Sequence, residues 1–209
     1  MPLSLDEQLV TLLLVALNVA VSLYAFSQAR GGPPDERFLF QPAEVARGRN
    51  LGGMLLSQFS HADAAHILFN LVTLYVFGPV VEEWLGRMPL LLVYAASAAG
   101  ATLLTLAAHR DDPAYRALGA SGAISGVLFA AIVLEPDMSL YVSFVPVPIP
   151  APLYAAAYVA LSIWAARRRL GNIGHEAHLG GAVAGFVLAG RLSEAGFEPL
   201  LERVRGLLG

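Results

Sequence analysis

Six runs of apolar residues, each near the length a helix needs to cross a bilayer, constrain this chain more than any other feature of it. A hydrocarbon core about 30 Å thick takes roughly 20 apolar residues in a helix to span. Charges, prolines and glycines divide the sequence into such runs at Gln8 to Ala29, Ala62 to Val81, Pro89 to Ala108, Gly119 to Leu134, Ala151 to Ala166 and His178 to Leu192. The expected fold is therefore an all-α membrane protein with six transmembrane helices, a single membrane domain over 1–209. Composition agrees. Residues of the set AVILMFWYC make up 56% and charged residues 14%, against about 45–50% and about 25% in soluble domains. The mean hydropathy is +0.62. Asp6 and Glu7 stand ahead of the first run, where a secretory signal would be basic, so that run reads as a retained helix.

Between the runs, the stretch 30–60 carries Pro33, Pro34, Pro42 and scattered Arg, and is expected to fold on the membrane surface. Prolines 146, 148, 150 and 152 alternate, which predicts an extended connector before the fifth run. The tail 193–209, with Phe197, Leu200, Leu201 and Val204, reads as a short amphipathic helix lying in the interface. No internal repeat is visible, which argues against a transporter built from inverted repeats.

Several chemistries are excluded by residue usage. A net charge of -3 and a pI near 5.9 provide no basic field for a phosphate backbone, so nucleic acid is not an expected partner. With no Cys there is no disulfide scaffold, thiol catalysis or thiolate metal site, and all 13 basic residues are Arg, so no lysine can serve as a base or Schiff-base amine. Ser, His, Asp, Glu and Tyr remain.

The fourth run is too short. At 1.5 Å per residue, Gly119 to Leu134 makes about 24 Å of helix, and with Glu135, Pro136 and Asp137 at one interface its start lies roughly 6 Å below the other. A helix start with free N–H groups is costly in lipid, so it must line a cavity. Ser121 sits there, in Gly119-Ala120-Ser121-Gly122. Serine in a transmembrane helix is ordinarily packing material; the glycines, which allow a sharp turn and close approach, raise its standing. His178 opens the sixth run, followed by Gly180, Gly181 and Gly185, while His66 and Asn70 share one face of the second at i, i+4. The second, fourth and sixth helices all begin on the same side of the membrane, so these groups share one leaflet by topology alone. Intramembrane ionisable groups are expensive and face a bundle interior. A lone histidine there is more often structural, but here the roles are complementary: Ser121 as nucleophile, His178 as base, and His66, Asn70 and the helix N–H groups as oxyanion donors. The stripes Gly122, Gly126, Ala130 and Gly181, Gly185, Ala189 would let the fourth and sixth helices pack closely.

These residues resemble the rhomboid intramembrane serine proteases. The resemblance covers the second to sixth helices through three ordered motifs: His61-Ala-Asp-Ala-Ala-His66-Ile-Leu-Phe-Asn70, Gly119-Ala120-Ser121-Gly122, and Ala177-His178-Leu179-Gly180-Gly181. It implies a rhomboid-like bundle with a short, sunken fourth helix and a Ser121/His178 dyad without a carboxylate member. It also implies an oxyanion hole from His66, Asn70 and the Ser121 N–H, no cofactor, and transmembrane proteins as substrates. Glu82 matches a position read as structural. Two departures stand out: Gly52-Gly53 replace a Trp-Arg pair in the first loop, which bears on lipid anchoring, and Ser125 replaces an aromatic that packs on the histidine, so Ser125 is itself a candidate partner for His178.

Charge placement opposes one implication. Arg30, Arg37, Arg47, Arg49, Arg110, Arg116, Arg167, Arg168 and Arg169 fall on the side of the candidate site, and Arg87, Arg191, Arg203 and Arg205 on the other. The positive-inside rule turns the site toward the cytoplasm; the resemblance implies a cell-membrane protein whose site opens outward, and that orientation is the one adopted. Two rival functions differ in class. One is a non-catalytic rhomboid-like protein that binds or chaperones membrane proteins, which has no need of the full polar set. The other is a metal site using His61, His66, His175 and His178, but His175-Glu176-Ala177-His178 has spacing three rather than the four of the zinc-protease motif. His175 and Glu176 are expected in the loop or at the cap of the sixth helix, and Asp63 as the cap of the second.

Overall fold

The computed structural model describes residues 8–142, 145–168 and 174–209; Asp6, Glu7 and Arg169 lie outside them. In chain order the helices are α1 (Leu9–Ala29), two short ones in the first loop, α2 (Pro42–Val45) and α3 (Leu51–Leu56), then α4 (Ala64–Leu85), α5 (Arg87–His109), α6 (Ser121–Leu134), α7 (Ala151–Arg168), α8 (His175–Leu192) and α9 (Glu198–Leu208). Each apolar run overlaps one of the long helices, and the tail contains α9. Among the described residues, α1, α4 and α5 combine the length and hydropathy required to cross a bilayer. The apolar α6 has only 14 residues, about 21 Å. α7 and α8 have 18 residues each but carry charges at their ends, so length and composition alone establish three of the six expected crossings.

α6 is the axis of the bundle. Every residue from Gly122 to Leu134 is buried, the mark of a helix enclosed on all sides. α8 lies against it along the two small-residue stripes: a Cβ added to Gly181 would strike the Gly122 carbonyl, and one on Gly185 the Gly126 carbonyl. Gly100 of α5 meets α8 in the same way, since a Cβ there would come within 2.6 Å of the Gly180 oxygen. Between helices that gain little from burying apolar surface away from equally apolar lipid, such close backbone contact is what holds the bundle.

α1 is attached by a polar stripe instead. Thr11, Asn18 and Ser22 are each fully buried and each reaches a different partner. The Val10 and Thr11 N–H groups donate to the Glu82 carboxylate at 2.8 and 2.9 Å, and the Thr11 hydroxyl donates to it at 2.8 Å. Asn18 donates to the Tyr94 hydroxyl at 3.2 Å. Glu82, on α4, thus caps the start of α1, where a negative charge and an acceptor are both favoured. Glu82→Ala leaves those N–H groups buried without an acceptor and is expected to cost about 2–4 kcal/mol, read as a fall in Tm in detergent. Glu82→Gln, which keeps one acceptor oxygen, should fall less, and an unchanged Tm in Glu82→Ala would remove this cap from the stability of the fold.

One sequence expectation needs correction, and two others gain detail. α8 begins at His175, not His178, with Gly174 at the cap position; His175 and Glu176 form the first turn rather than a loop, and the His178 N–H already bonds the Gly174 carbonyl at 3.1 Å. An acidic residue in a first turn suits the helix dipole. The proline-rich connector is extended, but it is strand β2 (Val145–Pro150), paired antiparallel with β1 (Ser139–Val142), Leu140 opposite Ile149. Alternating prolines remove donors from one edge of a strand only, which leaves the other edge able to pair. Finally, Gly52 and Gly53 lie inside α3, whose Leu51, Leu55 and Leu56 stand exposed, so the first loop presents apolar surface without the Trp-Arg pair.

Candidate active site

Ser121 is the first residue of α6, and the turn before it is built by Gly119. Gly119 has φ +133°, and a Cβ there would lie 2.8 Å from Cε1 and 2.9 Å from Nε2 of His66. Glycine is required on both counts, backbone and space. The Gly119 N–H donates to the Ser57 carbonyl at 2.8 Å, pinning the turn to the first loop. Among the described residues no side-chain cap bond is made at the start of α6, and Ser121 and Gly122 line a cavity of ≈ 590 Å³. His66, Gln58, Thr102, Tyr115, Arg116 and Glu176 share that lining.

The stripe packing of α6 on α8 brings His178 to Ser121: Nε2 lies 2.7 Å from Oγ. Gly122 is also close to α8 on the other side of His178, since a Cβ there would come within 3.2 Å of the Ala177 carbonyl oxygen. Close contact of α6 and α8 thus brings together the backbones that carry the two side chains.

His66 stands in the first turn of α4, below Asp63, whose carboxylate accepts from the His66 N–H at 2.8 Å. The Ala62 N–H points at His66 Nδ1 at 3.5 Å, which favours the proton on Nε2, the nitrogen beside Gly119. Asn70 lies on the same face, but its amide donates to the His66 carbonyl one turn back, at 2.8 Å. One amide hydrogen remains for other partners. His61 is not part of the cavity lining. It is buried, with Nδ1 2.8 Å from the Ser22 hydroxyl, which itself donates to the Phe59 carbonyl at 3.0 Å. His61 Nδ1 must then be the donor, because that hydroxyl has one hydrogen. Burial pushes His61 down to about 4, helped by neighbouring His66, so it is neutral and packs edge-on against the His66 ring at 5.0 Å.

Ser125 does not bond His178. Its Oγ is 2.8 Å from the hydroxyl of Tyr158 on α7, and the Tyr158 ring lies against His178, centroids 6.4 Å apart at 27°. Sequence reasoning passed over Ser22 and Tyr158. The available signals were the spacing of Thr11, Asn18 and Ser22 along one face of an otherwise apolar helix, and the i, i+4 pair Tyr154 and Tyr158.

Residues 48–195 match the rhomboid domain family. Among curated relatives, the mitochondrial RHOMBOID-like protein 12 of Arabidopsis thaliana is 31% identical over 69% of this chain and 47% of its own length. The mitochondrial rhomboid protein 1 of Saccharomyces cerevisiae is 32% identical over 66% of this chain and 41% of its own. The rhomboid protease AarA of Providencia stuartii is 27% identical over 89% of this chain and 73% of its own length. The chain spans less than half the length of the first two. With the family match covering most of a helical, multi-pass membrane bundle, the chain belongs to the rhomboid family.

Proposed function

We propose that this protein is an intramembrane serine endopeptidase that cleaves transmembrane segments of other membrane proteins with Ser121 and His178. The observation that carries the reading is the 2.7 Å contact between His178 Nε2 and Ser121 Oγ beside a cavity. In this mechanism the Ser121 oxygen attacks the scissile carbonyl carbon while its proton passes to His178 Nε2. The negative charge that develops on the carbonyl oxygen is met by the Ser121 N–H at the open start of α6 and by the Nε2–H of His66, which is preorganised by Asp63, Ala62 and Gly119. The C–N bond breaks as His178 returns the proton to the leaving amine, and water then hydrolyses the ester on Ser121 by the same route in reverse. A transmembrane helix hides its carbonyls in hydrogen bonds, so substrates should carry Gly, Pro or other helix-weakening residues near the cut. In this reading the protein sits in the cell membrane with its cavity opening outward.

The test is cleavage of a single transmembrane segment containing a Gly-Pro step, in detergent, alongside labelling by a fluorophosphonate probe with the modified residue located by mass spectrometry. Cleavage together with a label on Ser121 supports the reading. A label on Ser125 moves the site, and neither cleavage nor label leaves a membrane-protein binder as the function.

The oxyanion donors carry a separate prediction. His66→Ala is expected to lower kcat by about 10²–10³-fold, the loss typical of one such donor, with KM and Tm near wild type. Asn70→Ala is expected to lower kcat as well, through its remaining amide hydrogen. Its existing bond to the His66 carbonyl gives it a structural alternative, and Tm falling in step with kcat would assign it to that.

A further inference from the structure

An imidazole held at one nitrogen still pivots about its terminal torsion, which is broad and only weakly self-determined. Among the described residues no carboxylate is hydrogen-bonded to His178, whose ring contact with Ser121 is made through Nε2 alone. Its face is met instead by Tyr158, at a centroid distance of 6.4 Å and a tilt of 27°, within the range of offset aromatic pairs. Tyr158 is fixed in turn at both ends. Its hydroxyl is 2.8 Å from Ser125 Oγ, and its ring packs against Phe129 at 5.3 Å and Tyr154 at 5.9 Å.

The geometry links three helices through one side chain. Ser125 follows Ser121 by four residues, so both lie on the same face of α6. α6 therefore carries the proposed nucleophile and also the anchor of the ring that backs its base, while α8 supplies the base and α7 the ring. α7 has few other fixed points: its buried residues are Ala151, Ser162 and Ala165, and this bond to Ser125 ties it to α6 at the depth of the site. We propose that Tyr158 is a positioning residue: its ring, tethered through its hydroxyl to Ser125, holds His178 in line with Ser121, so that seating α7 on α6 and aligning the base are one event. The inference rests on the reading of Ser121 and His178 as nucleophile and base.

The experiment compares wild type with Tyr158→Leu, Tyr158→Phe, Ser125→Ala and the Ser125→Ala/Tyr158→Phe double variant, measuring kcat, KM, the rate of fluorophosphonate labelling at Ser121, and Tm. Leucine fills much of the space but offers no flat face. Tyr158→Leu should lower kcat and labelling rate by about 10²-fold, the loss expected for a misplacement near 1 Å, while KM and Tm stay close to wild type. Tyr158→Phe and Ser125→Ala, which keep the ring but cut its tether, should each lose about three- to tenfold, and the double variant no more than either. Wild-type kcat in Tyr158→Leu overturns the proposal, and so does a loss of kcat matched by loss of Tm in both Tyr158 variants, which would make the ring packing only. A wild-type protein that neither cleaves nor labels overturns the dyad itself together with this inference. If wild type labels at Ser121 and Tyr158→Leu labels equally fast, this inference alone falls.

Discussion

Ser121→Ala is expected to abolish cleavage, with a loss on the order of 10⁵–10⁶-fold in kcat, while the protein remains folded. Two features make the variant clean. Ser121 opens α6 and lines the cavity, outside the Gly122, Gly126, Ala130 stripe, and the substitution takes away one hydroxyl, the one that meets His178. Helix start, Gly119 turn and the α6 to α8 contact are untouched, so Tm should stay within a degree or two of wild type. His178→Ala is expected to be as inactive, and the double variant no worse than either, because members of one catalytic unit are strongly non-additive. His175→Ala should keep most activity, since His175 is the first residue of α8, almost a full turn before His178, whose Nε2 makes the contact with Ser121 Oγ. Retained cleavage by a folded Ser121→Ala protein ends the serine mechanism.

Gly181→Ala should be the most damaging change outside the polar groups. The added Cβ would strike the Gly122 carbonyl, a backbone atom of the central helix that no side-chain rotation can move aside. Overpacking of this kind is expected to cost about 3 kcal/mol or more. Gly122 neighbours Ser121, and the helices can relieve the clash only by separating. A shift near 1 Å there would stretch the Ser121 to His178 contact and lower kcat by about 10²-fold even in the molecules that fold. Gly52→Ala is the control. It also replaces a helical glycine, in α3, but nothing lies within 4 Å of the added Cβ, so it should be neutral or stabilising by about 0.5–1 kcal/mol. Equal behaviour of the two variants would show that the close contact of α6 and α8 does not hold the bundle together.

The membrane environment made part of this legible in advance. Lipid cannot satisfy backbone polar groups, so a spanning segment must be helical, and its length and hydropathy appear directly in the order of residues. The apolar runs, the shortness of α6 and the positions of Ser121, His178 and His66 in the first turns of their helices follow from one-dimensional information. The glycine stripes were legible for the same reason: close packing leaves a periodic mark on each helix separately.

What one-dimensional periodicity does not carry is which side chain answers which. Glu82 and Thr11 are more than seventy positions apart, as are Asn18 and Tyr94, and nothing in either local stretch names its partner. Ser125 looked like a partner for His178 because it stands one turn from Ser121. Its bond goes to Tyr158 because α7 brings that ring against His178 and its hydroxyl to Ser125. Likewise the proline run showed extension but not pairing, and the start of α8 moved one turn earlier because Gly174 accepts the His178 N–H that a later start would have left free.

By itself, then, the sequence determined the membrane-spanning character of the chain and where its helices lie, because these depend on local hydropathy. Only the tertiary structure decided the 2.7 Å meeting of His178 with Ser121, the capping of α1 by Glu82 and the backing of His178 by Tyr158. Those depend on the rotation and separation of helices about one another, which backbone contact between glycines sets to within tenths of an ångström.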